Sequence, residues 1–289
     1  MMEKIKILLD LVKFRITIAV MITTAFGYII AKNSIDTGII LPCIGIFLLA
    51  CSSAAINQIQ ERDIDAMMAR TKNRPLPSGN LSLNNAIIIT TILFLIGSIL
   101  LYASGGIWVV SLSIFNLIWY NFVYTPLKRV TAFAIIPGSL VGAIPPVVGW
   151  IAGGGYGFDQ TILLVAAFFF LWQVPHFWLL LFNHSYEYEK AGLPTLTQIF
   201  TREQLSHITY ILIIGTALTS LMFPLSGIID LSYAALGITL FALLLVAKSS
   251  KLMRANIEKY YYRTLFVDIN VFVLLVIAIV SLERIFINI

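Results

Sequence analysis

Long apolar segments alternate with short polar ones along almost the whole chain. A helix needs about 20 mostly apolar residues to cross the hydrocarbon core of a bilayer. The sequence therefore predicts an all-α, polytopic membrane protein with about nine transmembrane helices, and residues 1–289 are expected to form a single integral-membrane domain. The predicted spans are residues 16–34, 39–58, 84–103, 107–124, 132–152, 161–182, 207–224, 229–247 and 266–287.

The composition agrees with this pattern. Hydrophobic residues make up 59% of the chain and charged residues only 11%, and the mean hydropathy is +0.93. A soluble domain usually has about 25% charged residues, so a soluble fold is disfavoured. The net charge of +5 is attributed to membrane topology, because no basic stripe with interleaved aromatic residues is present. We therefore expect membrane lipid, and no nucleic acid, as a partner.

The distribution of basic residues predicts the orientation. Nine helices place the two termini on opposite sides of the membrane. If the N-terminus is cytoplasmic, all of the 19 Lys and Arg residues except Lys32 and Arg284 lie on the cytoplasmic side, as the positive-inside rule requires. The loops after the second, fourth and sixth spans also carry most of the polar side chains. We therefore expect an active site that faces the cytoplasm, in the cytoplasmic membrane if the chain is bacterial.

The most distinctive polar pattern lies at the end of the second span. Asn57, Glu61 and Asp65 are four residues apart, so they share one face of a helix, whereas Asp63 points elsewhere. Oxygen ligands in this arrangement suit Mg²⁺, which binds through a few carboxylates together with substrate phosphates. An alternative interpretation is a solvated loop with helix salt bridges. The basic residues that could bind the same phosphates are Arg62, Arg70, Lys72 and Arg74.

Two further clusters follow the fourth and sixth spans. In residues 184–194, Glu187 could hold a second Mg²⁺ on the same diphosphate; the alternative is an interfacial loop with Tyr anchors. After the fourth span, Lys128 and Arg129 could bind phosphate oxygens, and Tyr124 could face a developing cation. Ordinary positive-inside anchoring explains the Lys-Arg pair equally well.

One ionisable residue, His176, lies inside the sixth span. Polar groups within a membrane span are costly and are often functional. His176 could ligate a haem iron or lie near an acceptor substrate. It could equally satisfy the backbone group that Pro175 leaves unpaired, and the sequence leaves both interpretations open.

Together these residues resemble the UbiA superfamily of intramembrane prenyltransferases. The hallmark of that superfamily, Asn-x-x-x-Asp-x-x-x-Asp after the second helix, is matched by Asn57, Glu61 and Asp65. Within the superfamily the chain looks most similar to the branch that farnesylates haem b, in order over about residues 10 to 200. The blocks that carry this resemblance are Arg62-Asp-Ile-Asp65-Ala-Met, Arg70-Thr-Lys-Asn-Arg74-Pro, Tyr124-Thr-Pro-Leu-Lys128-Arg129, Gly142-Ala-Ile-Pro145-Pro146-Val-Val-Gly149-Trp150, Trp172-Gln-Val-Pro-His176-Phe and Tyr188-Glu-Lys-Ala-Gly192-Leu-Pro194.

Two positions depart from the family pattern. Glu61 stands where the motif usually has its first Asp, and Glu187 stands where the family usually has Asp. Both keep the charge and add a methylene. Because Mg²⁺ demands near-octahedral geometry, the longer side chains could change which carboxylate binds the metal directly.

The resemblance implies a reaction, its cofactor and its partners. Farnesyl diphosphate would donate a farnesyl group to a vinyl group of haem b, water would be added, and Mg²⁺ would be the cofactor. The product, haem O, would serve terminal oxidases, with a haem A synthase or an oxidase assembly as a partner. The implied site comprises Asn57, Glu61, Asp65 and Glu187 for Mg²⁺ and diphosphate, Tyr124 and Lys128 for catalysis, and Arg62, Lys72, Arg74, Arg129 and His176 for phosphate or haem.

Other functions remain open at this stage. A prenyltransferase acting on an aromatic quinone precursor would share the diphosphate site and differ only in its acceptor. A membrane transporter, or a non-catalytic haem- or lipid-binding protein, belongs to another class. Transporters usually place ionisable groups near the membrane midplane, whereas here these groups cluster at one face.

Overall fold

The computed structural model describes residues 2–230, 232–254 and 257–286, and these residues form helices and connecting turns without any strand. The principal helices are α1 (Met2–Leu11), α2 (Phe14–Lys32), α3 (Ile40–Met67), α4 (Leu83–Ile118), α5 (Leu140–Ala152), α6 (Gln160–Lys190), α7 (Arg202–Leu225), α8 (Ser232–Ser249) and α9 (Lys259–Phe286). A π-helical segment (Trp119–Tyr124) follows α4. Shorter α or 3-10 turns cover Thr37–Ile39, Thr125–Leu127, Ala132–Ala134, Ile135–Gly138, Leu196–Gln198 and Ser250–Met253.

In the described part of the chain, eight helical segments are long and apolar enough to cross a membrane. The difference from the predicted nine lies in residues 83–127, which form one segment of 45 residues. A straight helix of the 36 residues in α4 would be about 54 Å long, far more than the hydrocarbon core of about 30 Å. Instead α4 is kinked at Gly105 and Gly106. Its two arms correspond to the predicted spans 84–103 and 107–124, and the multi-pass architecture is confirmed.

The kink depends on a glycine. Gly106 has φ 71° and ψ −156°, a conformation that side-chain-bearing residues rarely adopt. In the sequence the same position falls in the short connection between the predicted spans 84–103 and 107–124. The chain thus turns back at Gly105 and Gly106, and only these two residues of α4 have non-helical backbone angles.

The helices pack in two groups joined through α2, α5 and α6. In the first group α3 lies along α4, and α2 lies along α5; in the second, α6 to α9 pack together. The two groups also meet where α2 contacts α9. The core of the first group includes Ile46, Leu49, Leu101 and Val148, and that of the second includes Phe168, Phe169, Phe223 and Phe272.

The contact between α2 and α5 is a close approach of backbones. A Cβ atom at Gly27 would lie 1.8 Å from the carbonyl oxygen of Pro146, and one at Gly149 would lie 1.8 Å from that of Thr24. Small residues at such crossings allow membrane helices to gain van der Waals contact, which lipid cannot replace. This crossing joins α2 to the rest of the bundle.

We expect Gly149→Ala to destabilise the bundle, because the added methyl group would overlap backbone that cannot move aside. Overpacking of this kind costs about 1–3 kcal/mol, so the midpoint of thermal unfolding in detergent should fall. Gly215→Ala on α7 is the matched control, since a Cβ there meets nothing within 4 Å. An unfolding midpoint for Gly149→Ala equal to that of Gly215→Ala would contradict the packing argument.

Candidate active site

The predicted polar face of α3 is buried inside the bundle. Asn57, Glu61 and Asp65 are 1%, 5% and 1% exposed, whereas the Asp63 side chain is 89% exposed. Nδ2 of Asn57 donates a hydrogen bond to Oε2 of Glu61 at 2.9 Å and another to Oγ1 of Thr125 at 3.2 Å. The three side chains line a cavity of about 310 Å³, which we call the main cavity. The prediction that they share one face is confirmed.

Each of these three side chains contacts a basic residue from another part of the chain. Two of the contacts are ion pairs with carboxylates, and the third is a hydrogen bond to the amide. The pairs are Lys13 Nζ to Asn57 Oδ1 at 2.6 Å, Lys128 Nζ to Glu61 Oε1 at 2.5 Å, and Arg74 Nη1 to Asp65 Oδ2 at 2.7 Å.

Lys13 is a site residue that sequence reasoning did not identify. It occupies the elbow between α1 and α2 in a left-handed conformation, with φ 50°. The buried side chain of Gln58 holds this elbow against α3, because its Nε2 donates to the carbonyl oxygens of Asp10 at 2.7 Å and Leu11 at 3.0 Å. In the sequence Lys13 is only one of several basic residues before the first span.

The environment of Lys13 disfavours its positive charge. Burial, the largest cause, lowers the pKa of the Lys13 ammonium to about 7. The like charges of Arg74 and Lys128 lower this pKa further, and the negative charges of Glu61 and Asp65 oppose them. Additional negative charge near Lys13 would favour its protonated form.

The π-helical segment after α4 contributes an aromatic wall. Tyr120 and Tyr124 both line the main cavity and stack with ring centroids 5.7 Å apart. The ammonium of Lys128 lies 5.7 Å from the centroid of the Tyr124 ring, within the range of a cation–π contact. Single π-helical turns of this kind often mark functional sites. Tyr124 and Lys128 were predicted to belong to the site, and Tyr120 was not.

The predicted cluster in residues 184–194, which contains Glu187, lies beside the segment that follows α3. Oε2 of Glu187 accepts a hydrogen bond from the backbone N–H of Arg70 at 3.4 Å. Nη2 of Arg70 donates to the Tyr188 hydroxyl at 2.9 Å, and its guanidinium carbon lies 5.7 Å from the centroid of the Tyr188 ring. Arg70 and Tyr188 line the main cavity, whereas Glu187 does not. The structure therefore brings the two clusters together and places Glu187 at the edge of the cavity.

Four other predicted residues lie outside the lining of the main cavity. The Arg62 guanidinium contacts Asp63 at 3.3 Å, Lys72 is exposed, and Nη2 of Arg129 donates to the Gln60 carbonyl oxygen at 2.8 Å. His176 lies on α6 and packs against α9. Its ring centroid lies 4.9 Å from that of Trp172 and 4.8 Å from that of Phe266.

The donor set suits a metal that shares its ligands with a substrate. Among the described residues, no group of three or more His, Cys, Asp and Glu side chains could hold a metal ion by itself. On α3 the available donors are two carboxylates, Glu61 and Asp65, and the Asn57 amide. Mg²⁺ typically binds one or two carboxylates, substrate phosphates and water, so this set fits Mg²⁺ better than it fits a transition metal.

A second, more open cavity adjoins the main cavity. Its volume is about 840 Å³, and it lies along α1 and the elbow before α2, so we call it the α1 groove. Lys13, Arg70 and Arg74 line both cavities. The other residues lining the α1 groove are Ile5, Lys6, Leu9, Asp10, Phe14, Arg15, Ile16 and Asn73. Basic side chains outnumber acidic ones here, and several of the apolar side chains are exposed.

Fold and site together define an integral membrane protein with a cavity in which buried carboxylates meet basic side chains. Residues 20–280 match the UbiA prenyltransferase family, and the chain belongs to that family. The family resemblance noted from the sequence is confirmed.

Several curated relatives share the same name, protoheme IX farnesyltransferase. The chain is 43% identical to that of Oleidesulfovibrio alaskensis, over 64% of this chain and 66% of the relative. It is 41% identical to that of Geobacter sulfurreducens, over 65% of this chain and 70% of the relative. These alignments span about two thirds of the relatives' length. A match to that of Vesicomyosocius okutanii, at 34% identity, covers 96% of this chain and 95% of the relative.

Solved structures confirm the fold. A digeranylgeranylglyceryl phosphate synthase structure superposes with a TM-score of 0.79 at 18% identity, covering 98% of this chain and 99% of that one. A UbiA homologue from Archaeoglobus fulgidus bound to GPP and Mg²⁺ superposes with a TM-score of 0.64 at 16% identity, covering 95% of this chain and 99% of that one. The all-α membrane bundle is therefore of the UbiA type.

Proposed function

We propose that this protein transfers the farnesyl group of farnesyl diphosphate to a vinyl group of haem b, with addition of water. The observation that carries the proposal is the buried face of α3, where an amide and two carboxylates meet basic side chains in one cavity. Membership of a prenyltransferase family supports the diphosphate chemistry. The shared name of the curated relatives supports farnesyl as the group transferred and haem as its acceptor.

The charges of the main cavity favour a diphosphate. Its basic lining residues outnumber the acidic ones, Glu61 and Asp65. Clustered cations in a partly buried site repel one another unless an anion accompanies them. A diphosphate supplies that charge and accepts charge-assisted hydrogen bonds. The basic residues are Lys13, Arg70, Arg74 and Lys128.

Mg²⁺ would be held by Asn57, Glu61 and Asp65, with Glu187 at the edge of the cavity available for a second ion. Bound there, the metal supplies Lewis-acid stabilisation of the departing diphosphate. The chain's own contribution is electrostatic. Lys128 and Arg74 contact the carboxylates on one side, and their remaining N–H groups can donate to phosphate oxygens as negative charge develops.

The rest of the main cavity suits the allylic part of the substrate. Tyr120 and Tyr124 lie next to the end of the main cavity that holds Glu61 and Lys128, which we call the charged end. Their ring faces can stabilise the cationic character that develops at C1 of the prenyl chain. The wall beyond them is largely apolar, with Val20, Ile46 and Leu49 among its residues. Such a wall would keep water from the cation until the carbon–carbon bond has formed.

The acceptor needs space of its own. At about 310 Å³ the main cavity is near the lower end of small-molecule sites, which run from about 300 to 1,000 Å³. We place the propionates of haem b in the α1 groove, where Lys6, Arg15 and Asn73 lie beside apolar side chains. Arg62, Lys72 and Arg129 would serve as outer contacts for phosphate or propionate, and a haem contact for His176 stays a prediction.

We expect Arg15→Ala to raise KM for haem b by about threefold to fivefold, as loss of a partly exposed ion pair would. The KM for farnesyl diphosphate should not change, because Arg15 does not line the main cavity. Lys4→Ala is the control, since Lys4 is a basic residue of the neighbouring helix α1 that does not line the α1 groove. Steady-state kinetics with each substrate varied in turn would check this, and an equal rise in both KM values would contradict the assignment.

The arrangement also bears on topology and partners. We propose that residues 1–289 work as one domain in a bacterial cytoplasmic membrane, with the active site open to the cytoplasm. In support, Lys32 and Arg284, the two basic residues assigned to the outer side, lie together: Lys32 pairs with Asp36 at 3.9 Å, and Nη1 of Arg284 donates to Oδ1 of Asn33 at 3.2 Å. Haem O would pass to a haem A synthase or a terminal oxidase assembly.

The experiment separates this function from its two alternatives. Purified protein in detergent would be offered farnesyl diphosphate with haem b, and separately with an aromatic quinone precursor, while diphosphate binding is measured by calorimetry with and without Mg²⁺. Farnesylated haem together with Mg²⁺-dependent binding is the expected result. Farnesylation of the aromatic precursor alone would transfer the proposal to quinone synthesis. Absence of diphosphate binding by folded protein would favour a transporter or a non-catalytic binding protein.

A further inference from the structure

Two amide oxygens at the inner end of the main cavity have no hydrogen-bond partner among the described residues. They are Oδ1 of Asn116 on α4 and Oε1 of Gln173 on α6. Asn116 is 9% exposed, and both residues line the main cavity. A buried acceptor that finds no donor costs free energy, so native structures usually satisfy it with protein or ordered water.

The two amides contact consecutive residues of α5, Val141 and Gly142. Nδ2 of Asn116 donates to the carbonyl oxygen of Val141 at 3.1 Å, which fixes the amide and leaves Oδ1 free. At the next residue, a Cβ atom on Gly142 would lie only 1.7 Å from Oε1 of Gln173. Gly142 therefore leaves the space that the Gln173 amide occupies. Three helices thus bring two acceptors to one polar spot in an otherwise largely apolar wall.

This polar spot lies inward of the aromatic wall. Asn116 precedes Tyr120 by one helical turn, and Tyr120 precedes Tyr124 by about another, with each α-helical turn advancing about 5.4 Å. Lys128 and Glu61 mark the opposite, charged end. A prenyl diphosphate whose phosphates lie at the charged end would place its allylic carbon between the charged end and the polar spot.

We infer that Asn116 and Gln173 bind the water molecule that is added to the acceptor, an inference that rests on the proposed function. A buried water needs two to four polar partners. One that donates a hydrogen to each amide oxygen satisfies both acceptors and turns a lone pair toward the cavity. The water is then oriented as a nucleophile at the end of the main cavity opposite the charged end.

The chemistry assigns this water a defined step. The vinyl π electrons form the new carbon–carbon bond to C1 of the farnesyl group while the bond from C1 to the diphosphate oxygen breaks. The resulting cation lies on the vinyl carbon attached to the porphyrin. Water forms a carbon–oxygen bond there and releases one proton to the diphosphate, leaving a hydroxyl group. Without a held water, the cation instead loses a proton from the neighbouring carbon to the diphosphate, and the product is an alkene lighter by one water.

The ratio of these two products tests the inference. Gln173→Met and Asn116→Leu each remove the unpartnered acceptor and keep a side chain of similar shape, and Asn116→Leu also removes the donor to Val141. We expect each to raise the ratio of dehydrated to hydroxylated farnesyl haem by about tenfold, as measured by chromatography with mass spectrometry. Gln173→Glu keeps an acceptor oxygen and should restore the wild-type ratio. Ser113→Ala is the matched control, because Ser113 lines the same cavity but its Oγ donates to the Val109 carbonyl oxygen at 2.8 Å.

The product ratio is insensitive to how much protein folds, because only active molecules form product. An unchanged ratio in both Gln173→Met and Asn116→Leu would overturn the inference. So would loss of both products in both variants while farnesyl diphosphate still binds, because carbon–carbon bond formation precedes water capture. Wild-type protein that farnesylates haem shows that the proposed function holds whatever the variants do. Wild-type protein that adds no farnesyl group overturns the proposed function first, and the inference with it.

Discussion

Asp65→Asn is expected to lower kcat by about 100- to 1,000-fold, as removal of a preorganised group at a site of developing charge does. The substitution keeps the shape of the side chain and an oxygen that can accept from Arg74. It removes the negative charge that we assign to Mg²⁺. The variant should also require more Mg²⁺ for half-maximal farnesyl diphosphate binding. Steady-state turnover and calorimetry over a range of Mg²⁺ concentrations would measure both effects.

Asp63→Asn is the matched control for this prediction. Asp63 lies two residues from Asp65 on the same helix, but its side chain is exposed and contacts Arg62. Its turnover and Mg²⁺ dependence should stay close to those of the wild type. A fully active Asp65→Asn protein would contradict the metal assignment. Thermal unfolding of both variants would show whether a loss of activity reflects the site or the fold.

Lys128→Gln is expected to lower kcat by about 100-fold, whereas Arg129→Gln should change it less than about threefold. The two residues are adjacent in sequence and were predicted together. In the structure Lys128 contacts Glu61 at 2.5 Å and lies beside the Tyr124 ring, while the exposed Arg129 only donates to the Gln60 carbonyl oxygen. Parallel kinetics on the two variants would check the difference. Equal losses of activity would contradict the assignment of the larger catalytic role to Lys128.

The α3 face could be predicted from the sequence because it depends on local geometry. Residues four apart on a helix share a face whatever surrounds them, so Asn57, Glu61 and Asp65 were grouped correctly and Asp63 was set apart. The spans could be predicted because hydropathy is also local. The kink at Gly106 was harder to predict, because two arms of one kinked helix have the same hydropathy pattern as two separate helices.

Contacts between distant parts of the chain could not be predicted in this way. Lys13 reaches Asn57 only because Gln58 holds the end of α1 against α3. Arg70 and Tyr188 meet across 118 residues of sequence. Gln173 belongs to the block Trp172-Gln-Val-Pro-His176-Phe, but its contact with α5 could not be predicted for the same reason. Its position opposite Asn116 depends on the packing of α4, α5 and α6.

The family departure at Glu61 acquires a partial explanation. Its longer side chain contacts Asn57 through one carboxylate oxygen and Lys128 through the other. Both oxygens therefore take part in the charged end of the main cavity. Glu187, the second departure, contacts the Arg70 backbone at the edge of that cavity. Nothing in the structure explains why glutamate rather than aspartate stands there.

The most direct test of the central claim is the fate of haem b when purified protein, farnesyl diphosphate and Mg²⁺ are incubated together in detergent. Chromatography with mass spectrometry should show a haem that has gained one farnesyl group and one water, and EDTA should abolish its formation. Unchanged haem, from folded protein shown to bind the diphosphate, would contradict haem as the acceptor.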